Sequence, residues 1–182
     1  MINQTKLVKH KSINVIQGDY AVSIERNVTL TTVLGSCVAA CLYDPRAEVG
    51  GMNHFLLPGQ HSNSTENMSY GLNAMELLIN EMLKLGAVRK RFQAKLFGGA
   101  NMGQGFSEIG SKNIAFAQEF LELEGIPCIS KSLGGVSARR VKFWPATGQA
   151  KLKVIDCKDT IQRTNVMTRK LVPTVSSDVE LF

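Results

Sequence analysis

Cys37 and His54 are the residues best suited to build a nucleophile. Cys37 lies in TTVLGSCVAACLYD (31–44), directly after Gly35-Ser36 and at the head of a run of small and apolar residues; His54 lies in GGMNHFLLP (50–58). A free thiol ionises near pH 8.5, and a neighbouring imidazolium lowers that value into the cellular range. If 38–43 and 51–57 form a hairpin about DPRAEVG, centred on residue 47, His54 falls opposite residue 40 and near Cys37 along the ladder. Cross-strand neighbours lie about 5 Å apart and diagonal ones about 7–8 Å, so a bulge could bring sulfur and imidazole together. Residue types alone leave a second reading open, and favour it: a buried cysteine beside a satisfied histidine.

Other chemistries fit less well. Cys37, Cys41, His54 and His61 are zinc-type ligands, but C-x3-C followed by H-x6-H is not a usual spacing, so no metal and no cofactor is expected. FGGANMGQG (97–105 with Phe106 following) lacks the G-x-x-x-x-G-K-[ST] order and reads as a tight turn with close backbone packing. No G-x-S-x-G elbow is present. RRVKFW (139–144) interleaves basic and aromatic residues, which a strand with an outward basic face explains without nucleic acid.

These residues need a scaffold. The chain has 182 residues, 44% of them apolar, enough for one domain with a proper core. MINQTKLVKHKS carries no apolar leader region, and no window approaches the ~20 apolar residues of a membrane span, so a soluble, cytoplasmic protein without membrane insertion is expected. Cys37, Cys41, Cys128 and Cys157 then read as reduced thiols. A net charge of +6 favours acidic partners. Its longest basic cluster, Arg89-Lys90-Arg91, reads as the solvated end of a helix.

Two short strands are predicted within 13–33 about the turn Gly18-Asp19, then strands at 37–43 and 52–58, with 59–68 an exposed loop. Leu72, Met75, Leu78, Ile79, Met82, Leu83 and Leu85 have helical spacing, with Gly86 as the stop. AKLF (94–97) is a strand, and 111–123 a second helix capped by Ser111 and ended by Gly125. Strands follow at 127–133, 139–144 and 149–155, and then a polar tail, 156–182. The order implies an α/β fold: a layered sandwich of mixed β-sheet with two main helices, in a single domain spanning 1–155.

At LGSCVAACLYDP (34–45), GGMNHFLLP (50–58), KLFGGANM (95–102), IGSKN (109–113), and LGG with RRVKFWPATG (133–148), the chain closely resembles the CheD-type chemoreceptor glutamine deamidases of bacterial and archaeal chemotaxis. The likeness spans roughly 14–155, with Gly18-Asp19-Tyr20 near its start; it departs at Ala138-Arg139, where the family usually reads Gly-Arg. The resemblance implies an α/β sandwich and a Cys-His-Thr triad that hydrolyses selected receptor glutamines to glutamate, releasing ammonia. It implies Cys37 as nucleophile, His54 as base and Thr31, six positions before the cysteine, as third member, with Thr32 adjacent. Methyl-accepting chemotaxis receptors would be the substrate, receptor arrays the location, and a response-regulator phosphatase a partner of many members. A non-catalytic regulator that binds receptors or that phosphatase is the alternative. The tail 156–182 is expected to pack on the core or bind a partner.

Overall fold

The computed structural model describes residues 10–57, 64–103 and 107–155, the side chains of 64–67 and 107 excepted. These form strands β1 (Lys11–Asn14), β2 (Tyr20–Ser23), β3 (Val28–Leu34), β4 (Val38–Asp44) and β5 (Val49–Asn53), helix α1 (Ser64–Lys84), β6 (Gln93–Gly98), helix α2 (Ser107–Leu123), β7 (Cys128–Leu133), β8 (Ala138–Trp144) and β9 (Gln149–Ile155). One sheet has the order β1-β3-β8-β9, the other β2-β5-β4-β6-β7. Both are mixed: β1 with β3 and β6 with β7 are parallel, the rest antiparallel. The expected mixed-sheet sandwich with two main helices is the fold observed.

The layers follow from side-chain alternation. β4 is the central strand of the five-stranded sheet and is buried on both faces. Its Ala39 and Cys41 pack with Leu30, Leu34 and Phe143 between the two sheets. Val38, Ala40 and Leu42 pack the other way, against Met75, Leu78, Ile79 and Met82 of α1 and Ala117 and Phe120 of α2. Phe55 meets Phe116 edge to face at a centroid separation of 5.6 Å, a geometry the ring quadrupole favours. The outer face of β8 and β9 carries the exposed Arg140, Lys142, Lys151 and Lys153, so this sheet is half-solvated.

Both helices end as the glycines predict. Gly86 and Gly125 adopt φ of +89° and +64°, and the N–H groups of Ala87 and Ile126 reach back to the carbonyls of Met82 and Leu121. That is the Schellman closure. The starts differ from expectation. α1 begins at Ser64 rather than near Leu72, because its first turns are polar and carry no apolar stripe; Met68, Ser69 and Tyr70 are exposed. Leu72, Leu83 and Leu85 are exposed as well, leaving Met75, Leu78, Ile79 and Met82 as the buried face. α2 begins at Ser107, four residues before the expected cap at Ser111. The stretch 13–33 holds parts of three strands rather than two; β1, KSIN, is a short and mostly exposed edge strand with little apolar signal. β5 ends at Asn53, short of the expected 58.

Arg89-Lys90-Arg91 is a 3-10 turn with its arginines in use, not a solvated helix end. Arg91 pairs with the fully buried Asp44 at 2.7 Å, and Arg89 pairs with Glu76 at 3.0 Å and with Glu124. The Asp44 carboxylate also accepts from the N–H groups of Arg46, Ala47 and Val88. Burial pushes its pKa up, but Arg91 and these donors outweigh it and hold the carboxyl well below the usual range. His61 and the tail 156–182, including Cys157, lie outside the described residues.

Candidate active site

The cysteine sits where the chain changes sheets. β3 belongs to the four-stranded sheet and β4 to the five-stranded one, so Gly35-Ser36-Cys37 is the crossover between them. Val38 exchanges both backbone hydrogen bonds with Phe55, at 3.0 and 2.9 Å, and Cys41 pairs with Met52. In this register His54 lies opposite Ala39, not residue 40. The one-residue difference decides the geometry: Cys37, two positions from Ala39, now shares a sheet face with His54 as its diagonal neighbour. Cys37 is half-buried and packs at the edge of the inter-sheet core.

His54 is held from the opposite sheet. Its side chain is buried, and Nδ1 lies 2.9 Å from Thr32 Oγ1 and 3.3 Å from the Val15 carbonyl oxygen. The Thr32 hydroxyl in turn donates to the Val15 carbonyl at 2.8 Å. These contacts fix the tautomer. The single hydroxyl proton goes to Val15, and a carbonyl can only accept, so Nδ1 carries the hydrogen and Nε2 is left with its lone pair. Nε2 is buried without a hydrogen-bond partner among the described residues. Burial pushes the imidazole below its ordinary pKa, opposed by the Val15 hydrogen bond.

Thr31 is not the threonine that meets the ring. It sits on the other face of β3, paired with Lys142, while Leu30, Thr32 and Leu34 point inward. A strand turns successive side chains to opposite faces, so counting six residues rather than five from the cysteine selects the wrong side. Thr31 contributes through its backbone, since its carbonyl accepts from Val15 N–H at 2.8 Å.

One segment missed by sequence reasoning touches every member of this group. Val15 receives Thr32 and His54, Gly18 N–H donates to the His54 carbonyl at 2.7 Å, and His54 N–H donates to the Asp19 carbonyl at 3.0 Å. Between them the exposed Gln17 accepts the Cys37 thiol on Oε1 at 3.4 Å. The Gly18-Asp19 turn was the visible signal; its proximity to His54 was not.

The crossover is clamped from behind. Gly99 N–H donates to the Cys37 carbonyl at 2.7 Å, and a Cβ on Gly98, whose φ is +114°, would stand 2.1 Å from that oxygen. The glycine stretch is therefore a close-packing turn, as its pattern suggests. Buried Asn113 of α2 donates to the Ser36 carbonyl at 3.2 Å and accepts from Leu57 N–H at 2.8 Å, tying both arms of the site to one helix. Asn53 Oδ1 accepts Ala40 N–H at 3.0 Å, taking the place of a ladder carbonyl. Arg139 points inward, not outward with Arg140: it donates to the carbonyls of Gly98, Ser132 and Gly134, holding the β7–β8 loop on the glycine turn.

Electrostatically, burial favours the neutral form of both groups. Burial pushes the Cys37 thiol up, partly countered by its own backbone N–H, and pushes the His54 imidazole down, so both shifts favour thiol and imidazole over thiolate and imidazolium. Cys41, fully buried, is pushed far higher and is a core residue; Cys128 is exposed on β7. Among the described residues no three His, Cys, Asp or Glu side chains converge as a metal site, and no helix is long and apolar enough to cross a membrane.

Residues 56–154 match the family model described as CheD chemotactic sensory transduction. The chain is 50% identical over 173 residues to "Probable chemoreceptor glutamine deamidase CheD" of Caulobacter vibrioides, covering 93% of this chain and 92% of that one. It is 48% identical to the protein of the same name from Agrobacterium fabrum, covering 94% and 97%. A solved structure from Neisseria meningitidis is similar with a TM-score of 0.44 at 11% identity, covering 69% of this chain and 63% of its own, a likeness too loose to bear on the site. With its fold, its crossover cysteine and these likenesses together, the chain belongs to the CheD family.

Proposed function

We propose that this protein is a chemoreceptor glutamine deamidase in which Cys37 is the nucleophile, His54 the general base and Thr32 the residue that orients the base. The observation that carries the reading is the placement of the His54 ring: Nδ1 is tied to Thr32 and Val15, and Nε2 is left without a partner among the described residues, on the face it shares with Cys37. A base needs its lone pair presented and its other nitrogen fixed. The names of the relatives supply the substrate class.

In the proposed reaction His54 Nε2 takes the thiol proton as the Cys37 sulfur bonds to the carboxamide carbon of a receptor glutamine. The Cys37 backbone N–H receives the developing oxyanion. Collapse of the adduct breaks the carbon–nitrogen bond; His54 returns the proton to the departing nitrogen, and ammonia leaves. Water, deprotonated by the same Nε2, then attacks the thioester, and the cysteine departs with the proton as glutamate is released.

Acidic helical surfaces suit the exposed cations of β8 and β9. Arg140 stands opposite Lys153 and Lys142 opposite Lys151, like-charge pairs that cost stability and are offset when an anionic partner covers them. Association with receptor arrays follows from this reading, and a response-regulator phosphatase is a further partner to test by co-purification. The deciding experiment incubates the full chain with cytoplasmic fragments of chemoreceptors and maps glutamine-to-glutamate conversion by mass spectrometry. Conversion is expected with wild type and not with Cys37→Ala; equal conversion by both rejects the mechanism.

A further inference from the structure

Gln17 presents to Cys37 the same functional group that the proposed substrate would bring. Its carboxamide oxygen accepts the thiol hydrogen at 3.4 Å, and its side chain is exposed to solvent. We infer, on the reading of Cys37 as a deamidase nucleophile, that Gln17 is a resident stand-in for the substrate glutamine: its carboxamide covers the thiol in the resting protein and must swing out before a receptor glutamine enters.

The backbone around Gln17 is held by hydrogen bonds, while its exposed side chain has the Cys37 thiol as its contact. Val15 N–H is bonded to Thr31, Gly18 N–H to His54, and the Asp19 carbonyl to His54 N–H. Gly18, at φ +90°, makes the turn that leaves Gln17 at the surface over the crossover. The contact also explains how a glutamine survives beside the nucleophile. A thiol that donates to Oε1 is protonated, and a protonated sulfur does not attack; it faces the amide oxygen and not the carbon. When Gln17 leaves, the S–H···O bond breaks, the thiol proton becomes available to His54 Nε2, and the vacated place admits another carboxamide. Gln17 is thus a positioning and gating residue rather than a catalytic one. Ile16, more than half exposed on the same turn, places an apolar contact where an arriving helix would meet the gate.

The test uses full-length protein with Gln17→Ala and Gln17→Glu, reading two quantities. One is the pH dependence of iodoacetamide alkylation at Cys37, followed on the Cys37 peptide so that Cys128 does not contribute. The other is KM against kcat for receptor fragments. Gln17→Ala is expected to alkylate several-fold faster, with the midpoint moved to lower pH, and to lower KM roughly fivefold, the equivalent of one neutral hydrogen bond. Gln17→Glu should move the midpoint to higher pH, because a carboxylate beside sulfur disfavours the thiolate. Unchanged or slower alkylation in Gln17→Ala overturns the proposal, as does a fall in kcat at constant KM, which would make Gln17 a donor to the reacting amide. If wild type converts no receptor glutamine while the alkylation profiles shift as stated, the receptor reading fails and the gate stands.

Discussion

The Thr32 hydroxyl and His54 Nδ1, 2.9 Å apart, belong to or follow strands of different sheets, so the contact proposed to orient the base also crosses the sandwich. Replacing Thr32 by valine keeps the shape and removes the hydroxyl. That leaves the Val15 carbonyl and His54 Nδ1 with only their mutual 3.3 Å contact and loosens the imidazole, at a cost of about 1–3 kcal/mol for the lost buried hydroxyl. Thr32→Val is expected to lower kcat/KM for receptor deamidation at least tenfold, whereas Thr31→Val, on the other face, should leave stability within about 0.5 kcal/mol. Denaturant melts and steady-state kinetics of the two variants check this; similar losses at both positions would refute the orientation by Thr32.

The pH dependence follows from the direction in which burial moves His54. Its pKa is below the ordinary 6.5, so the neutral base persists to lower pH, and the acid limb of kcat/KM should lie below pH 6.5. Stability carries the same sign. The unfolded histidine binds its proton at higher pH than the folded one, so this contribution is complete above about pH 6.5 and is lost as pH falls through the folded pKa. Chemical melts between pH 7.5 and 5 should show the loss in wild type and a smaller one in His54→Gln.

Asp44 makes a separate prediction, away from the chemistry. It caps the β4–β5 loop and anchors Arg91, with its side chain wholly buried. Asp44→Ala strands these donors, and a loss of about 3 kcal/mol is expected, without a change in KM of the folded fraction. Because its folded pKa is depressed, the stability it gives is present above its unfolded value of about 3.9 and declines as pH falls below it. Acid titration of wild type and Asp44→Asn, followed by circular dichroism, measures the difference.

The cation ladder of β8 and β9 predicts salt dependence. Lys142→Glu combined with Lys151→Glu replaces one like-charge pair by another, so folding stability should change little while KM for receptor fragments rises several-fold. High salt should raise the wild-type KM and shrink the gap between the proteins. A KM indifferent to both would remove this face from the account.

What the sequence made legible was the set of elements more than their register. Periodic apolar positions in α1 and the glycines after both helices located the helices, and most strands followed from β-branched runs and turn residues. Register depends on the conformation of the DPRAEVG loop, which residue identity does not specify, and one residue of slip put His54 opposite residue 40 and on the wrong face for Cys37. The same sensitivity separates Thr32 from Thr31. Gln17, Asn113 and Arg139 were illegible as site residues for another reason. Each acts on a group distant in sequence, two of them on backbone carbonyls, and no spacing pattern records which carbonyl a polar side chain will reach.

The crossover at Gly35-Ser36 has a temporal meaning for a chain made from its N-terminus. Cys37, His54 and Thr32 are all synthesised within the first third of the protein, yet β3 gains its antiparallel partner only with β8, where Thr32 pairs with Val141. The thiol is therefore present before the sheet that holds Thr32 is complete. On the proposed reading, a nascent chain ending ahead of β8 carries all three side chains before that sheet has formed, and competence would arrive with the last quarter of the molecule.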